Sequence, residues 1–294
     1  MVDRTHHQEE VQAFLNREFN IRDWEFSLPH SWGKESYYAR SKCSSYFIKL
    51  EAPLANYLTM SSLGFTPPVI ASGFLDDGTS ILVQPVIQAN NPSRGDFRVY
   101  LEKIASLVGT MQRSAELRQP LPQPPSEQYR DLGLRDLTLL RQRWERYKPQ
   151  VPQVARWVDE SLDQLTIKIN AMDGQGVVVT HHDICNANWL ISKDGQIYLI
   201  DLDDLALDDP AVDLGALLWW YYPPELRGRF LEIAGYGKDS TIRQRMLLRM
   251  TLHCLRILLP REGSFDRFDG ENFALNLADF RAILAGEENP QGYG

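Results

Sequence analysis

Cysteine is scarce in this chain: Cys43, Cys185 and Cys254 are the only three among 294 residues, far apart and without C-x-x-C spacing. An odd number so placed builds neither a disulfide framework nor a zinc site, and it points to a reducing compartment. Long apolar runs are also missing. The strongest, "LGALLWWYY", falls well short of the ~20 residues a bilayer-spanning helix needs. The first ten residues, "MVDRTHHQEE", are polar and acidic, with none of the marks of a signal peptide. Basic residues are outnumbered, 31 Lys and Arg against 39 Asp and Glu, for a net charge of −8. That balance excludes broad, sequence-independent affinity for nucleic acid, which needs many cations near phosphates. There is no internal repeat, no low-complexity tract and no G-x-G-x-x-G. What is present, 43% hydrophobic and 24% charged residues, is the composition of an ordinary globular protein, expected to be soluble and cytoplasmic.

The texture of the chain changes once. Gln8 to Phe19 reads as a short helix, because Val11, Phe14, Leu15 and Phe19 recur near helical spacing. From Trp24 onward, "YYAR", "YFIKL" and "SILVQPVI" are aromatic and β-branched runs divided by polar turns, the pattern of antiparallel strands. "APLANYLTMSSLGF" between them suits a helix ended by Gly64. "QANNPSRGD", Gln88 to Asp96, has the composition of a linker. Beyond it the pattern is mainly helical: Phe97 to Leu117, Leu132 to Tyr147, Val154 to Ile169, Ala211 to Tyr222, Ser240 to Leu259 and Phe273 to Leu284. The fourth of these has Asp209 as its expected N-cap and Pro210 as its first helical residue. A strand at Val177 to Val179 and a hairpin turning at Asp194-Gly195 are embedded among the helices. The expectation is a two-lobe α+β plan: residues 1–87 as a small β-rich lobe and 88–294 as a larger helical one.

Chemistry concentrates in "VVVTHHDICNANWLISKDGQIYLIDLDD", Val177 to Asp204. Two carboxylates about 4 Å apart repel by roughly 4 kcal/mol at an effective dielectric near 20, so a cluster of this kind needs water or a cation. His181, Asp183 and Asn188 form H-x-D-x-x-x-x-N, and Asp201 follows at the end of an apolar strand. A loop after a strand can offer Asp183 to a hydroxyl, while the Asn188 amide oxygen and the Asp201 carboxylate suit a hard cation such as magnesium. Phosphoryl transfer asks little more than positioning, charge neutralisation and a proton acceptor.

With these motifs in order, the sequence resembles the aminoglycoside phosphotransferase and choline kinase-like branch of the protein-kinase-like fold. "HHDICNAN", "LID" and "DPAVD" stand where that group has H-G-D-x-x-x-x-N, a strand ending in I-D, and D-P-x-x-D. The resemblance implies ATP and Mg2+ as cofactors and a small-molecule hydroxyl as acceptor. Asp183 would be the catalytic base and His181 a structural brace of its loop. Asn188 and Asp201 would bind magnesium, Asp203 would support a second ion, and Asp213 would brace the loop from its helix. His182 departs from the family, which usually has glycine there.

The same resemblance assigns the first lobe to the nucleotide. Lys49 in "YFIKL" would hold the α- and β-phosphates, against the ordinary reading of an exposed strand lysine. In "SWGKESYYAR", Gly33 would allow close backbone approach to a phosphate and Ser36 would donate to it. Glu51 opens "EAPLANYL", which resembles the family's E-A-x-x-L segment, yet it lies only two residues after Lys49, so its pairing with that lysine is left open. In "LVQPVI" the Gln84 C=O and the Val86 N–H would receive adenine. For the acceptor, Glu262, Asp266, Asp269 and Glu271 would suit an amine-bearing, cationic molecule, and Trp219 to Tyr222 would suit a quaternary ammonium, although a charged surface and a packed helix face are the simpler explanations of the two. Two other readings stand beside the kinase: a kinase-like nucleotide-binding protein without catalysis, and a metal-dependent hydrolase or D-x-D glycosyltransferase. The latter explains the acidic cluster but not Lys49 or the spacing to Asn188.

Overall fold

A computed structural model describes residues 7–29, 34–259 and 270–293, the side chains of 270–272 excepted. In chain order the elements are α1 (Gln8–Phe19), β1 (Glu25–Ser27), β2 (Ser36–Arg40), β3 (Ser45–Leu50), α2 (Leu54–Ser62), β4 (Ala71–Phe74), β5 (Ser80–Pro85) and β6 (Ala89–Asn90). There follow α3 (Arg94–Val99), α4 (Leu101–Arg113), α5 (Ala115–Arg118), α6 (Tyr129–Tyr147), α7 (Pro152–Asn170) and β7 (Val178–Thr180). The chain continues with β8 (Trp189–Ser192), β9 (Ile197–Leu199), β10 (Ala206–Asp208), α8 (Ala211–Tyr221), α9 (Pro224–Ile233), α10 (Ile242–Leu258) and α11 (Gly270–Ala285).

The chain forms two compact units. The first takes in the described residues up to Pro92 together with Asn186–Leu205, and the second takes in Ser93–Cys185 and the described residues from Ala206 onward. The segment 186–205, which the expected boundary places in the second lobe by sequence order, therefore clusters with the first unit.

The first unit is built on an antiparallel sheet in the order β1-β2-β3-β5-β4. Side chains alternate across a sheet, and the register Tyr37↔Ile48↔Val83 puts these residues on one face. That face is covered by Val11, Phe14 and Leu15 of α1, all buried with Trp24 in a single apolar cluster. The period of two then fixes the other face: Ser36, Lys49 and Leu82 are in register across β2, β3 and β5 and share it. Hydrophobic burial of one side thus decides where the lysine points. A second small sheet, β6-β8-β9, carries the expected hairpin, and Gly195 at its tip has φ 77°. The supposed linker contributes β6, paired to β8 through Ala89↔Ser192.

In the second unit the helix expected over Phe97 to Leu117 is three pieces, α3, α4 and α5. Ser93 starts α3 with a capping box to Asp96, and the Ser114 side chain accepts from Leu117 N–H and starts α5. Such caps stop one helix by opening another. The apolar helix α8 runs through the core with Leu214, Leu217 and Leu218 fully buried. It lies so close to α10 that a Cβ on Gly215 would come within 2.6 Å of the Met246 carbonyl oxygen, a contact only glycine permits. Asp209 precedes this helix as expected and its carboxylate accepts from the Ala211 N–H at 2.9 Å, but Pro210 rather than Asp209 is the capping residue. β7 and β10 pair antiparallel, Val179 opposite Leu207. Among the described residues no helix is long and apolar enough to cross a membrane. All three cysteines are free thiols: Cys43 is exposed, Cys185 half-buried and Cys254 buried.

Candidate active site

Lys49 is the centre of the polar cluster in the first unit. It sits on β3, only 8% exposed, a costly position for a cation without partners. Its ammonium donates to Asp201 Oδ1 at 2.7 Å and lies 3.0 Å from Asp203 Oδ1 and 3.0 Å from the Tyr57 hydroxyl. Burial acts to lower its pKa, but these oxygens outweigh burial and hold it above the usual lysine range. The lysine stays charged. Ser36 is directly opposite it on β2, and the two side chains lie on the same face of the sheet.

The hairpin β8–β9 explains how Asn188 and Asp201 come together. Trp189 pairs with Leu199, and the Ile200 N–H donates to the Asn188 C=O at 2.8 Å. Ile200 is therefore opposite Asn188, and Asp201 is the next residue along, so the hairpin brings an amide-bearing and a carboxylate-bearing position to adjoining places in the chain. Asp201 has φ 59° and ψ 63°, a left-handed conformation uncommon outside glycine, asparagine and aspartate. An amide oxygen and a carboxylate are donors that fit magnesium, a hard cation that keeps several waters and takes phosphate oxygens as further ligands. Among the described residues no group of three or more His, Cys, Asp or Glu is gathered into a metal site.

Of the expectations for the first unit, Gly33 lies outside the described residues, and two others meet a different geometry. Glu51 does not reach Lys49: it has φ 52°, its side chain is exposed, and its carbonyl accepts from Lys34 Nζ at 2.6 Å. Lys34 also lies 3.4 Å from Asp203 Oδ2; nothing in the sequence marks it, because a lone lysine after a glycine carries no pattern. The backbone groups read for adenine, Gln84 C=O and Val86 N–H, are turned toward β3. The Val86 N–H donates to Ser45 C=O at 3.0 Å, so it is engaged in the sheet. Hydrogen-bonding direction alternates along an antiparallel strand, so Gln84 faces β3 as well. The Ile70 N–H donates to Val83 C=O, so the odd-numbered positions of β5 face β4. Pro85 C=O points the same way, beyond the β4 pairing, which ends at Val83. The Gln84 side chain, for its part, donates to Pro67 C=O at 2.6 Å.

In the second unit the loop after β7 is clamped by Asp213 of α8. Its two carboxylate oxygens accept from the His181 N–H at 2.8 Å and the His182 N–H at 3.0 Å. Burial pushes its pKa up, against the pull of both histidines. The Asp183 N–H in turn lies 3.3 Å from His181 Nδ1, and His181 is fully buried. His182 has φ 65°, the conformation for which glycine is the default residue. Its ring sits 3.8 Å from Asp208 Oδ2, and burial lowers its pKa.

Behind this loop lies a buried charge network. Arg249 of α10 bonds Asp136 of α6 at 2.9 Å and also Asp208; Arg135 reaches Asp208 at 2.7 Å. One turn earlier Arg245 bonds Asp209 and Asp239 and stacks 3.8 Å from the Tyr129 ring centroid. Burial alone would raise the Asp136 pKa; the surrounding arginines hold it below the usual carboxylate range. None of these arginines stood out in the sequence, because their partners lie up to 113 residues away. Of the acceptor candidates, Trp219, Tyr221 and Tyr222 are buried, with Tyr221 stacked on Phe97 at 4.2 Å. These three are core residues, and half-buried Trp220 packs against His253. Glu262, Asp266 and Asp269, and the side chain of Glu271, lie outside the described residues.

In the first unit a buried strand lysine is tied to the aspartate after a hairpin, and in the second an H-x-D loop is clamped from a following helix; each is a feature that suits phosphoryl transfer. Comparison with known proteins gives the family. The phosphotransferase enzyme family (APH) model matches residues 44–248, more than half of the chain, and the chain belongs to that family. Among solved structures it is similar to choline kinase LicA from Streptococcus pneumoniae, with TM-score 0.65 and 16% identity over 96% of this chain and 99% of that one. It is similar also to a thermostable mutant of aminoglycoside phosphotransferase APH(4)-Ia in its apo form, TM-score 0.66, 14% identity, 94% and 98% covered. A third is the GDP complex of aminoglycoside 2'-phosphotransferase-IIIa, TM-score 0.64, 16% identity, 97% and 99% covered. The fold is the protein-kinase-like fold of these enzymes.

Proposed function

We propose that the protein is an ATP- and magnesium-dependent phosphotransferase that moves the γ-phosphate to a hydroxyl of a small molecule. The observation that carries this reading is the ion pair of buried Lys49 with Asp201 at 2.7 Å, which joins residues 152 positions apart. In the transfer, the acceptor oxygen attacks the γ-phosphorus, the bond to the β–γ bridging oxygen breaks, and ADP leaves. The hydroxyl proton passes to the Asp183 carboxylate. Lys49 holds the α- and β-phosphates, with Ser36 donating beside it. Asn188 and Asp201 hold magnesium, with Asp203 beside them, and His181 keeps the loop of Asp183 in shape. When bound, magnesium neutralises charge on the phosphate oxygens. The purine reads Pro85 C=O and Ile87 N–H. A choline-, aminoglycoside- or sugar-like hydroxyl is the acceptor class that fits the family.

Two variants test the assignments, with phosphate transfer screened over amines, sugars and amino alcohols. Asp183→Ala should lower turnover by at least about a hundredfold, as expected for loss of a general base, and leave nucleotide affinity nearly unchanged. Asp201→Ala should weaken nucleotide binding only when magnesium is present. Wild-type transfer by both variants would refute the roles given to these residues. Nucleotide binding by the wild type without transfer to any acceptor would leave a binding protein in place of an enzyme.

A further inference from the structure

In the fold as the resemblance describes it, the strand lysine is steadied by a glutamate from the following helix. Here α2 has no acidic residue in its first turn, and Glu51 faces solvent. The group that reaches Lys49 from this helix is the Tyr57 hydroxyl. Tyr57 is 2% exposed. Its oxygen accepts from Lys49 Nζ at 3.0 Å and from the Leu202 N–H at 3.2 Å, and it donates to Asp203 Oδ1 at 3.3 Å. One donor and two acceptor positions are all that a phenol has, and all three are filled. The neighbouring Asn56 donates to the Leu202 C=O at 3.3 Å. Helix α2 therefore holds both backbone polar groups of the residue between Asp201 and Asp203, while the same phenol holds the lysine.

We propose that Tyr57 is a positioning residue for phosphate binding, fixing Lys49 and the Asp201–Asp203 segment to each other through one neutral hydroxyl in the place of a helix carboxylate. The inference rests on the reading of Lys49 as the phosphate-binding lysine. Its physical content lies in the difference between a phenol and a carboxylate. A carboxylate partner would offset the lysine charge; a phenol orients the ammonium and leaves its charge to Asp201, Asp203 and an incoming phosphate. Burial raises the phenol pKa above its usual value, so the hydroxyl keeps its proton at neutral pH.

The test compares Tyr57→Phe, which keeps the ring and deletes the oxygen, with Lys49→Met. Tyr57→Phe should raise the ATP KM and the nucleotide Kd about tenfold, the effect of losing a hydrogen bond to a charged group, with kcat and the acceptor KM changed much less. A lower Tm with unchanged ATP KM and Kd would show that Tyr57 only packs, and would overturn the proposal. Lys49→Met should lose nucleotide affinity more severely. If it binds nucleotide like the wild type, the reading of Lys49 fails, whatever Tyr57→Phe does. Should the phenylalanine variant not fold, 4-fluorophenylalanine at position 57 fills the volume of the hydroxyl without its donor, and the same rise in ATP KM and nucleotide Kd is expected. Values equal to those of the wild type would overturn the proposal.

Discussion

At the scale of single residues, His182 separates shape from chemistry. It occupies a left-handed backbone position, φ 65°, in which an L-residue is disfavoured by roughly 1–2 kcal/mol. Replacing it with alanine or glycine removes the same ring, but only glycine removes the backbone penalty. His182→Gly should therefore be more stable than His182→Ala by about 1 kcal/mol in urea unfolding. Equal stabilities would mean that the loop relaxes to another conformation once the ring is gone. Residue-level legibility follows the same division. Asp183, Asn188, Lys49 and Asp201 stand out in the sequence because fixed spacing in an apolar frame marks them. Tyr57 and Lys34 do not, since nothing local distinguishes a tyrosine that packs from one that holds a lysine. Glu51 was ambiguous in sequence because its role turned on whether the strand or the helix claimed it; its positive φ and exposure show that neither does.

At the scale of elements, α1, α2, β2, β3 and β5 lie where the hydrophobic period puts them, since one buried face is enough to specify a helix or a strand. The hinge register was not legible. Which of two successive residues faces β3 depends on pairing, and pairing is set by a partner strand some forty positions away in sequence. The breaks between α3, α4 and α5 were masked by a continuous apolar stripe. Helix α10 carries the heaviest electrostatic duty, because Arg249 meets Asp136 and Asp208 with almost no exposure. Removing one partner of a buried ion pair leaves an uncompensated charge, which typically destabilises by about 3–5 kcal/mol. Arg249→Met should fall near the lower end of that range, since Arg135 still faces Asp208 at 2.7 Å. Denaturant unfolding measures it, and a loss under about 1 kcal/mol would show that the network is dispensable.

For the whole molecule, two histidines give stability opposite slopes with pH. Burial pushes the pKa of His253 down to about 3, against about 6.5 in an unfolded chain. Between these values the unfolded state binds a proton that the folded state refuses, so stability falls as pH drops below about 6.5. His7 is the reverse. Its two ring nitrogens lie 2.8 Å from Glu35 and 3.0 Å from Asp77. Its hydrogen bond to Glu35, aided by Asp77, raises its pKa despite partial burial. Its contribution is complete below about pH 6.5 and is lost as pH rises through the raised value. In melting curves from pH 4.5 to 8, His253→Phe should flatten the acid limb, keeping an aromatic ring against Trp220, while His7→Gln should lose stability only on the acid side. A single exposed thiol has a practical corollary. Cys43 stands in solvent between β2 and β3, whereas Cys254 is buried and its thiol pKa is raised by that burial. A maleimide dye should accordingly attach first at this turn, joining the two strands that carry Ser36 and Lys49, and the native chain would come with its own fluorescent reporter for ligand titration.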